Sequence, residues 1–480
     1  MDMGNSRGPM LEDIRTDLLV IGAGSGGLSV AAGAAQMGAD VTLLEGGEMG
    51  GDCLNYGCVP SKALLAAAAQ AHAMTTGAPF GVTPVEPQVD YAAAKRHVHA
   101  VQAAIAPVDS QERFEGLGVR VIREYGAFTD PETVVAGRHR IRARRVVIAT
   151  GSAPLVPEID GLDAVPFLTN ETLFALEERP DHLLVIGAGP IGMEMAQAHR
   201  RLGSRVTVVT AGRALGREDP ELAAVVVARL RAEGVEIVEE ARVTRVAGGG
   251  GAIRLETDRA VYEGTHLLVA AGRRANVEGL NLAAAGIAHD RAIRVGADLR
   301  TTNRRVYAVG DVTGGPQFTH VAGYHGATVI RPILFGFPAR VRTDHVPRVT
   351  YTAPELAQVG LTEQEARERH GDRLDVLRVP YHENDRAVAA GQTEGFAKVM
   401  VVRGRPVGAS IVGAHAGELI GLWALALSAR LKIGAVAQMI APYPTLGEVS
   451  KRAAGRYYAP RLFESPVVKR VVRLVQRIVP

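Results

Sequence analysis

The sequence predicts an α/β protein made of two Rossmann-like dinucleotide-binding domains and a C-terminal α+β domain. Three observations carry this reading. A strand–glycine turn–helix–strand unit runs through "DLLVIGAGSGGLSVAAGAAQMGADVTLLEGG". The same unit returns at 182–210 in "HLLVIGAGPIGMEMAQAHRRLGSRVTVVT". From about Val346 the pattern becomes strand alternation followed by helices, in "VPRVTYTAPELAQVGLTEQEARE" and "FAKVMVVRGRPVGASIVGAHAGELIG".

In the first unit the apolar run 17–21 forms a strand, and the turn after it carries Gly22, Gly24 and Gly27. The next strand, 40–44, ends at Glu45. A strand before, a helix after and an acid about twenty residues on make this a dinucleotide fingerprint, not a lone glycine pattern. Gly22 permits the turn, Gly24 lets a pyrophosphate approach the backbone, and Gly27 lets helix and strand pack closely. The helix N-terminus offers amide donors and a positive partial charge to that pyrophosphate. Glu45 is expected to bind ribose hydroxyls.

Gly187, Gly189 and Gly192 repeat these offsets, so a second dinucleotide is expected. Here the closing strand reaches Thr210 instead of an acid, and Arg213 and Arg217 follow. An acid repels a 2′-phosphate and an arginine pairs with it, so NADPH is expected ahead of NADH. The bland alternative for these arginines is a solvated loop.

Between the units, "RRVVIATGSAPLVPEIDG" is a strand leading to Thr150 and Gly151 and then a proline-marked linker. "HLLVAAGRRANVEGLNL" is a strand followed by a glycine turn at Gly272. In "TTNRRVYAVGDVTGGPQFTHVAGYHGA" the strand 306–309 delivers Asp311 into a turn before a helix. Asp311 suits either a polyol or a helix cap. The expected bounds are 1–155 with 279–343 for the first domain, 156–278 for the second, 344–464 for the third and 465–480 for a basic tail.

Length and composition narrow the function classes. A chain of 480 residues is too long for one ordinary core. Hydrophobic content of 47% with 22% charge is ordinary for a globular protein. The 55 glycines against 10 Phe and one Trp favour tight turns and close backbone approaches. No apolar run reaches the length of a membrane span. The stretch "MDMGNSRGPMLEDIRT" has no apolar core, and two cysteines make no extracellular disulfide framework, so a cytoplasmic location is expected. No basic face with aromatics or binding motif points to nucleic acid.

Both cysteines lie in "GGDCLNYGCVPSK", residues 50–62, which also holds Gly51. Cys53 and Cys58 stand five positions apart in a glycine-rich turn at the start of a helix. A helix N-terminus lowers thiol pKa and favours thiolate, so the pair reads as a redox reagent and not as a staple. The alternative is two buried free thiols.

Six segments, in order, resemble the flavin-dependent pyridine nucleotide–disulfide oxidoreductases. They are the first glycine fingerprint, "GGDCLNYGCVPSK", "ATG", the second fingerprint, "VYAVGD" and "YTAPELAQVGLTE". The resemblance covers about 17–454. It implies FAD on Gly22, Gly24, Gly27, Glu45, Gly51, Thr150, Gly151 and Asp311. It places NAD(P)H near Gly187, Gly189, Gly192, Glu194, Arg213 and Gly272. It implies a redox-active Cys53–Cys58 disulfide, with Cys58 against the flavin as the charge-transfer thiolate and Cys53 facing the substrate. Lys62 would support reduced flavin. The C-terminal domain resembles the family's dimerisation domain, which implies a homodimer with sites shared across the interface.

The chain departs from the family in two places. Disulfide reductases carry a His-Pro…Glu element whose histidine shuttles protons, a task suited to its pKa. Here the stretch is "IAPYPTLGEVSKRAAG", with Glu448 retained and Tyr443 at the histidine position. A tyrosine with a pKa near ~10 is a poor proton acceptor at neutral pH. The mercuric reductase branch shares that tyrosine, and the dihydrolipoamide dehydrogenase branch does not. Mercuric reductases also use a C-terminal cysteine pair for Hg(II), and this chain has no third cysteine. No resident metal site is expected, and the electron acceptor is a small disulfide or a soft metal ion. A quinone or dye diaphorase and a slow, membrane-docked redox sensor are the competing readings. His320, His325, His382 and His415 read as capping or surface residues.

From Lys451 onward there are eight Lys/Arg and one acid, Glu464, so this end is +7 within a chain of net +3. In 467–479, Val467, Val471, Leu474, Val475 and Ile478 recur at helical spacing, with Lys469, Arg470, Arg473 and Arg477 mostly on the other faces. Such a helix suits peripheral membrane contact, or docking on the protein's own dimer.

Overall fold

The computed structural model describes residues 11–249 and 251–479. The first ten residues of the stretch read above for a leader lie outside that range.

The first domain is organised by one long strand, Glu12–Ile21, which begins five residues before the expected start at Asp17. The extension pairs in parallel with His139–Ile148, from Glu12 opposite His139 to Ile21 opposite Ile148. Alternating polar residues on an exposed stretch hid it from a reading that sought an apolar run. On its other side Leu18 stands opposite Val41, in the strand Val41–Leu44. The seven-stranded sheet continues through Arg120–Ile122 at one edge and the antiparallel Thr133–Ala136 and Gly126–Asp130 at the other. Val306–Ala308 returns to it beside His139–Ile148. Side chains alternate across a strand, so Leu18 and Val20 enter one core and Leu19 and Ile21 the other. Both faces are covered, which is why the run is continuously apolar.

The second domain repeats the design with a four-stranded parallel sheet in the order Glu236–Val238, Arg205–Val209, His182–Ile186, His266–Val269. In both sheets the glycine turn follows a strand whose neighbours are reached in opposite directions. That is the switch point at which a ligand crevice opens.

The third domain is a five-stranded antiparallel sheet in the order Pro347–Thr350, Glu355–Gly360, Arg405–Gly413, Phe396–Val402, Leu374–Pro380. Its core closes around Trp423, whose Nε1 donates to Ser450 Oγ at 3.1 Å. It is joined to the second domain by Lys398, buried to 2%. The Lys398 ammonium meets Asp219 at 3.0 Å, Glu363 at 2.8 Å and Glu221 at 3.1 Å. Asp219 also caps the helix Pro220–Ala232. The chain ends in an α-helix, Pro466–Ile478, with no buried residue.

Candidate active site

Both glycine turns obey the same packing. A Cβ on Gly27 would stand 1.9 Å from the Gly22 carbonyl oxygen, and one on Gly192 would stand 2.0 Å from that of Gly187. The middle glycines differ. The nearest atom to a Cβ on Gly24 is the Gly51 Cα at 4.0 Å, and nothing lies within 4 Å at Gly189. The protein's own packing therefore does not require glycine at these two positions. Each precedes a helix, Ser25–Gln36 and Pro190–Arg201, whose N-terminus has no side-chain cap. Uncapped amides over an open glycine are a cradle that a pyrophosphate fits.

Around the first cradle, Glu45 follows its strand as expected. Its Oε2 accepts from the Ala23 amide at 2.6 Å and its Oε1 from the Gly47 amide at 2.7 Å. Thr150 Oγ1 donates to the Asn276 carbonyl at 2.8 Å, and the Gly151 carbonyl accepts from the Asn276 amide at 3.0 Å. Asp311 lies in the turn Gly310–Thr313, and Ser152 Oγ donates to its Oδ2 at 2.6 Å. Burial pushes the Asp311 carboxyl above its usual range, with Ser152 and Arg273 opposing. Gly51 crosses Gly24 closely, which brings the redox segment onto the cradle.

The cysteines do not share one helix, as the sequence reading had it. Cys53 lies in a short helix, Gly51–Asn55, and Cys58 opens the long helix Cys58–Thr75. Gly57, with φ −122° and ψ −111°, breaks the helical path between them. Both are free thiols, the reduced form of the pair. Cys58 is exposed and Cys53 half-buried. Cys53 and Thr319 stand beside the Cys58 sulfur, and the Lys62 charge acts on it. Thr319 Oγ1 lies 3.4 Å from Cys58 Sγ. The hydrogen bond from Cys53 does most to lower Cys58, to about 6; burial opposes, and Thr319 and the Lys62 charge assist. Cys53 moves the other way, raised by that same hydrogen bond and by burial. The pair thus holds one thiolate and one thiol.

Lys62 lies one turn into the Cys58 helix. Its Nζ meets Glu194 Oε2 at 2.8 Å and sits 4.3 Å from the centre of the Tyr351 ring. Glu194 is buried, and its Oε1 accepts from the Tyr351 amide at 2.9 Å. Asp52, just before Cys53, is held by Arg273 at 3.0 Å and by Asn170 at 3.0 Å. Arg273 follows Gly272 and reaches Ser152 Oγ at 2.8 Å, so one guanidinium links the redox segment to the Ser152–Asp311 pair. The sequence reading missed Thr319, Arg273 and Tyr351. Thr319 had a local signal, as the first residue of the helix after the Asp311 turn.

Arg213 and Arg217 are exposed beyond Thr210, and the loop is pinned where the Ala214 amide donates to Glu239 at 2.9 Å. His320 and His325 lie in the helix Thr319–Phe335; His320 is exposed, as expected of a surface residue, and His325 is corrected. His325 is buried and accepts from the Gly310 amide at 3.2 Å, so it is neither cap nor surface residue.

Tyr443 and Glu448 lie in the third domain. Tyr443 is 70% exposed and donates to Asp385 Oδ2 at 2.9 Å. That hydrogen bond raises its pKa further. Glu448 opens the helix Glu448–Ala459, and its Oε2 is buried without a partner among the described residues.

Residues 16–326 match the family model of pyridine nucleotide-disulphide oxidoreductases, and 346–454 match that family's dimerisation domain. The chain belongs to this family. It is an FAD-dependent, NAD(P)H-linked disulfide oxidoreductase of class I, and it forms a homodimer. It is 36% identical over 457 residues to a mercuric reductase of Streptomyces lividans, covering 91% of this chain and 95% of that one. A mercuric reductase of Lysinibacillus sphaericus is 34% identical over 455 residues, covering 93% and 83%. Among solved structures, the Cu(II) complex of the HOCl-induced flavoprotein disulfide reductase RclA from Escherichia coli superposes with a TM-score of 0.82 at 28% identity, covering 92% and 99%. LpdA from Mycobacterium tuberculosis gives 0.84 at 27%, with the same coverage.

Proposed function

We propose that this chain is an NADPH-preferring reductase that passes electron pairs through Cys53 and Cys58 to a soft, thiophilic metal ion. The observation that carries the reading is the opposite displacement of the two thiols, Cys58 down to about 6 and Cys53 up. At neutral pH one sulfur is an anion able to face a flavin, and the other keeps its proton until it meets an acceptor. Bound FAD supplies two-electron transfer between nicotinamide and these sulfurs. The proposed FAD contacts are Gly22, Gly24, Gly27, Glu45, Gly51, Thr150, Gly151 and Asp311. Those for the nicotinamide dinucleotide are Gly187, Gly189, Gly192, Glu194, Arg213 and Gly272. The domain bounds given above belong to the same proposal.

Tyr443 favours the metal acceptor over a disulfide. Interchange with a disulfide leaves a thiolate that needs a proton donor, and reclosure needs a base. Tyr443 is already donating to Asp385, and its raised pKa keeps it from acting as that base. A divalent soft ion leaves no departing thiolate to protonate. It takes both electrons, the single proton held by Cys53 passes to solvent and the Cys53–Cys58 disulfide re-forms. In the homodimer, Tyr443 and Glu448 of one chain complete the site of the other. Two supports come from similar proteins, the mercuric reductases and the Cu(II) complex of RclA. The exposed C-terminal helix adds peripheral membrane contact to the proposal.

The test is an anaerobic NADPH titration of the yellow dimer, followed by mixing with Hg(II), Cu(II), lipoamide or a quinone. A long-wavelength thiolate–flavin band, discharged by a metal ion and abolished by Cys58→Ser, is expected. Discharge by lipoamide alone transfers the acceptor to disulfides. Quinone turnover unchanged in a Cys53→Ser/Cys58→Ser variant makes the chain a diaphorase and removes the dithiol from the reaction.

A further inference from the structure

The family's dimerisation domain ends at residue 454, and the chain then builds a further helix, Pro466–Ile478. Ser465 caps it, accepting from the Val468 amide at 3.3 Å, and Pro466 occupies its first turn. The helix is therefore encoded locally and does not depend on a partner to begin. At 3.6 residues per turn its side chains separate completely. Val467, Val471, Leu474, Val475 and Ile478 lie on one continuous face and are 45% to 69% exposed. Lys469, Arg470, Arg473 and Arg477 lie on the opposite face, and no acid stands between Ser465 and Pro480.

The ground beneath the helix is firm. Arg461 meets Asp375 Oδ2 at 2.9 Å and stacks on Tyr457 at 3.8 Å. Leu462 and Phe463, exposed to 47% and 72%, add apolar surface at its root. Thirteen residues rise about 20 Å, too short for a hydrocarbon core of about 30 Å, so the helix cannot cross a bilayer and can only lie along one.

We propose that this helix is an interfacial anchor that lays its valine–leucine face into an anionic lipid surface, with its four basic residues among the headgroups. Charge complementarity selects this occupant. A second copy of the chain would bury the apolar face equally well, but it would leave the basic face without acids from the helix's own counterpart. The basic side chains run their stems along apolar depth and keep their charges at headgroup level. A homodimer carries two such helices, so the second contact forms at high effective concentration. The inference rests on the peripheral contact proposed above and not on the electron acceptor.

The experiment is co-sedimentation of the FAD-loaded full chain with vesicles of phosphatidylcholine alone, or with a third of the lipid as phosphatidylglycerol. Binding on the order of 100-fold tighter to the anionic vesicles is expected, collapsing in 1 M salt. Both K469Q/R470Q/R473Q/R477Q and V471D/L474D should abolish it, while NADPH–dye turnover stays unchanged and reports an intact fold. Equal binding to both vesicles, or binding untouched by the glutamine substitutions, overturns the anionic preference while peripheral contact stands. No sedimentation with either vesicle overturns both. A chain truncated after Ser465 that scatters light as a monomer, where the full chain is a dimer, assigns the apolar face to the second copy and overturns the proposal.

Discussion

Lys62 Nζ and Glu194 Oε2, 132 positions apart in the chain, meet at 2.8 Å and tie the Cys58 helix to the first helix of the second dinucleotide domain. The pair fixes a cation whose charge adds to the acidity of the Cys58 sulfur. Lys62→Met removes that charge, so Cys58 loses acidity and the long-wavelength band titrates at higher pH. Glu194→Gln keeps the lysine but loosens it. A charge-assisted hydrogen bond of this kind is worth about 1.5–3 kcal/mol, which corresponds to a loss of roughly tenfold or more in the rate of flavin reduction by NADPH. Stopped-flow reduction checks this, and a rate equal to the unsubstituted chain would discard the role.

The pH dependence follows from the thiol pair. Cys58 is lowered to about 6, so in the reduced enzyme the thiolate band should be absent below pH 5, half-developed near 6 and complete by 7. The sign is that of an acid whose ionised form the fold favours: raising pH creates the thiolate. Cys53 donates the hydrogen bond that does most to lower Cys58, so Cys53→Ala should move the midpoint upward, toward an ordinary thiol. An unshifted midpoint in that variant contradicts the hydrogen bond.

The cradle glycines give a sharper contrast. A Cβ on Gly24 meets nothing nearer than 4.0 Å, whereas on Gly27 it would strike the Gly22 oxygen at 1.9 Å. Gly24→Val should therefore purify folded but colourless, having lost FAD. Gly27→Val should fail to fold. Gly189→Val should stay yellow and lose reduction by NADPH. Circular dichroism with the 450 nm absorbance ratio distinguishes the three.

The proposed preference for NADPH is tested on the exposed loop after Thr210. Arg213→Ala together with Arg217→Ala should raise the KM for NADPH by about 10- to 100-fold, the worth of one or two charge-assisted contacts to a phosphate, and leave the KM for NADH alone. An equal rise for both nucleotides would show that the loop matters for shape and not for the 2′-phosphate.

Stability has its own test point at Lys398. Its ammonium is buried to 2% against an Asp219 carboxylate buried as deeply. Lys398→Met leaves that carboxylate uncompensated between the second and third domains. Breaking such a buried pair from one side costs about 3–5 kcal/mol. Urea denaturation of the holo-dimer would read the loss, and a cost below about 1 kcal/mol would show that water reaches the cluster.

What the sequence disclosed and what it hid divide along the length of the contacts. Gly22 to Glu45, Gly187 to Thr210 and Cys53 to Cys58 are local patterns, because turn, helix start and strand end are set by neighbours in the chain. The third domain was legible for the same reason, through strand alternation. The Lys62–Glu194 pair and the Cys58–Thr319 contact were not, since they join residues 132 and 261 positions apart. The break at Gly57 was hidden too. A glycine inside a helix-like run states no dihedral, and only the finished chain shows that the two cysteines occupy two helices.

The Glu194 carboxylate is grasped from two sides, by Lys62 of the redox helix and by the Tyr351 amide of the third domain. A swing of the second domain against the first would break the Lys62 bond, and one against the third would break the Tyr351 bond; either loosens the hold on a buried charge. Such a contact makes the molecule a chassis more than a jaw. A crosslink between these domains is expected to leave the catalytic rate untouched.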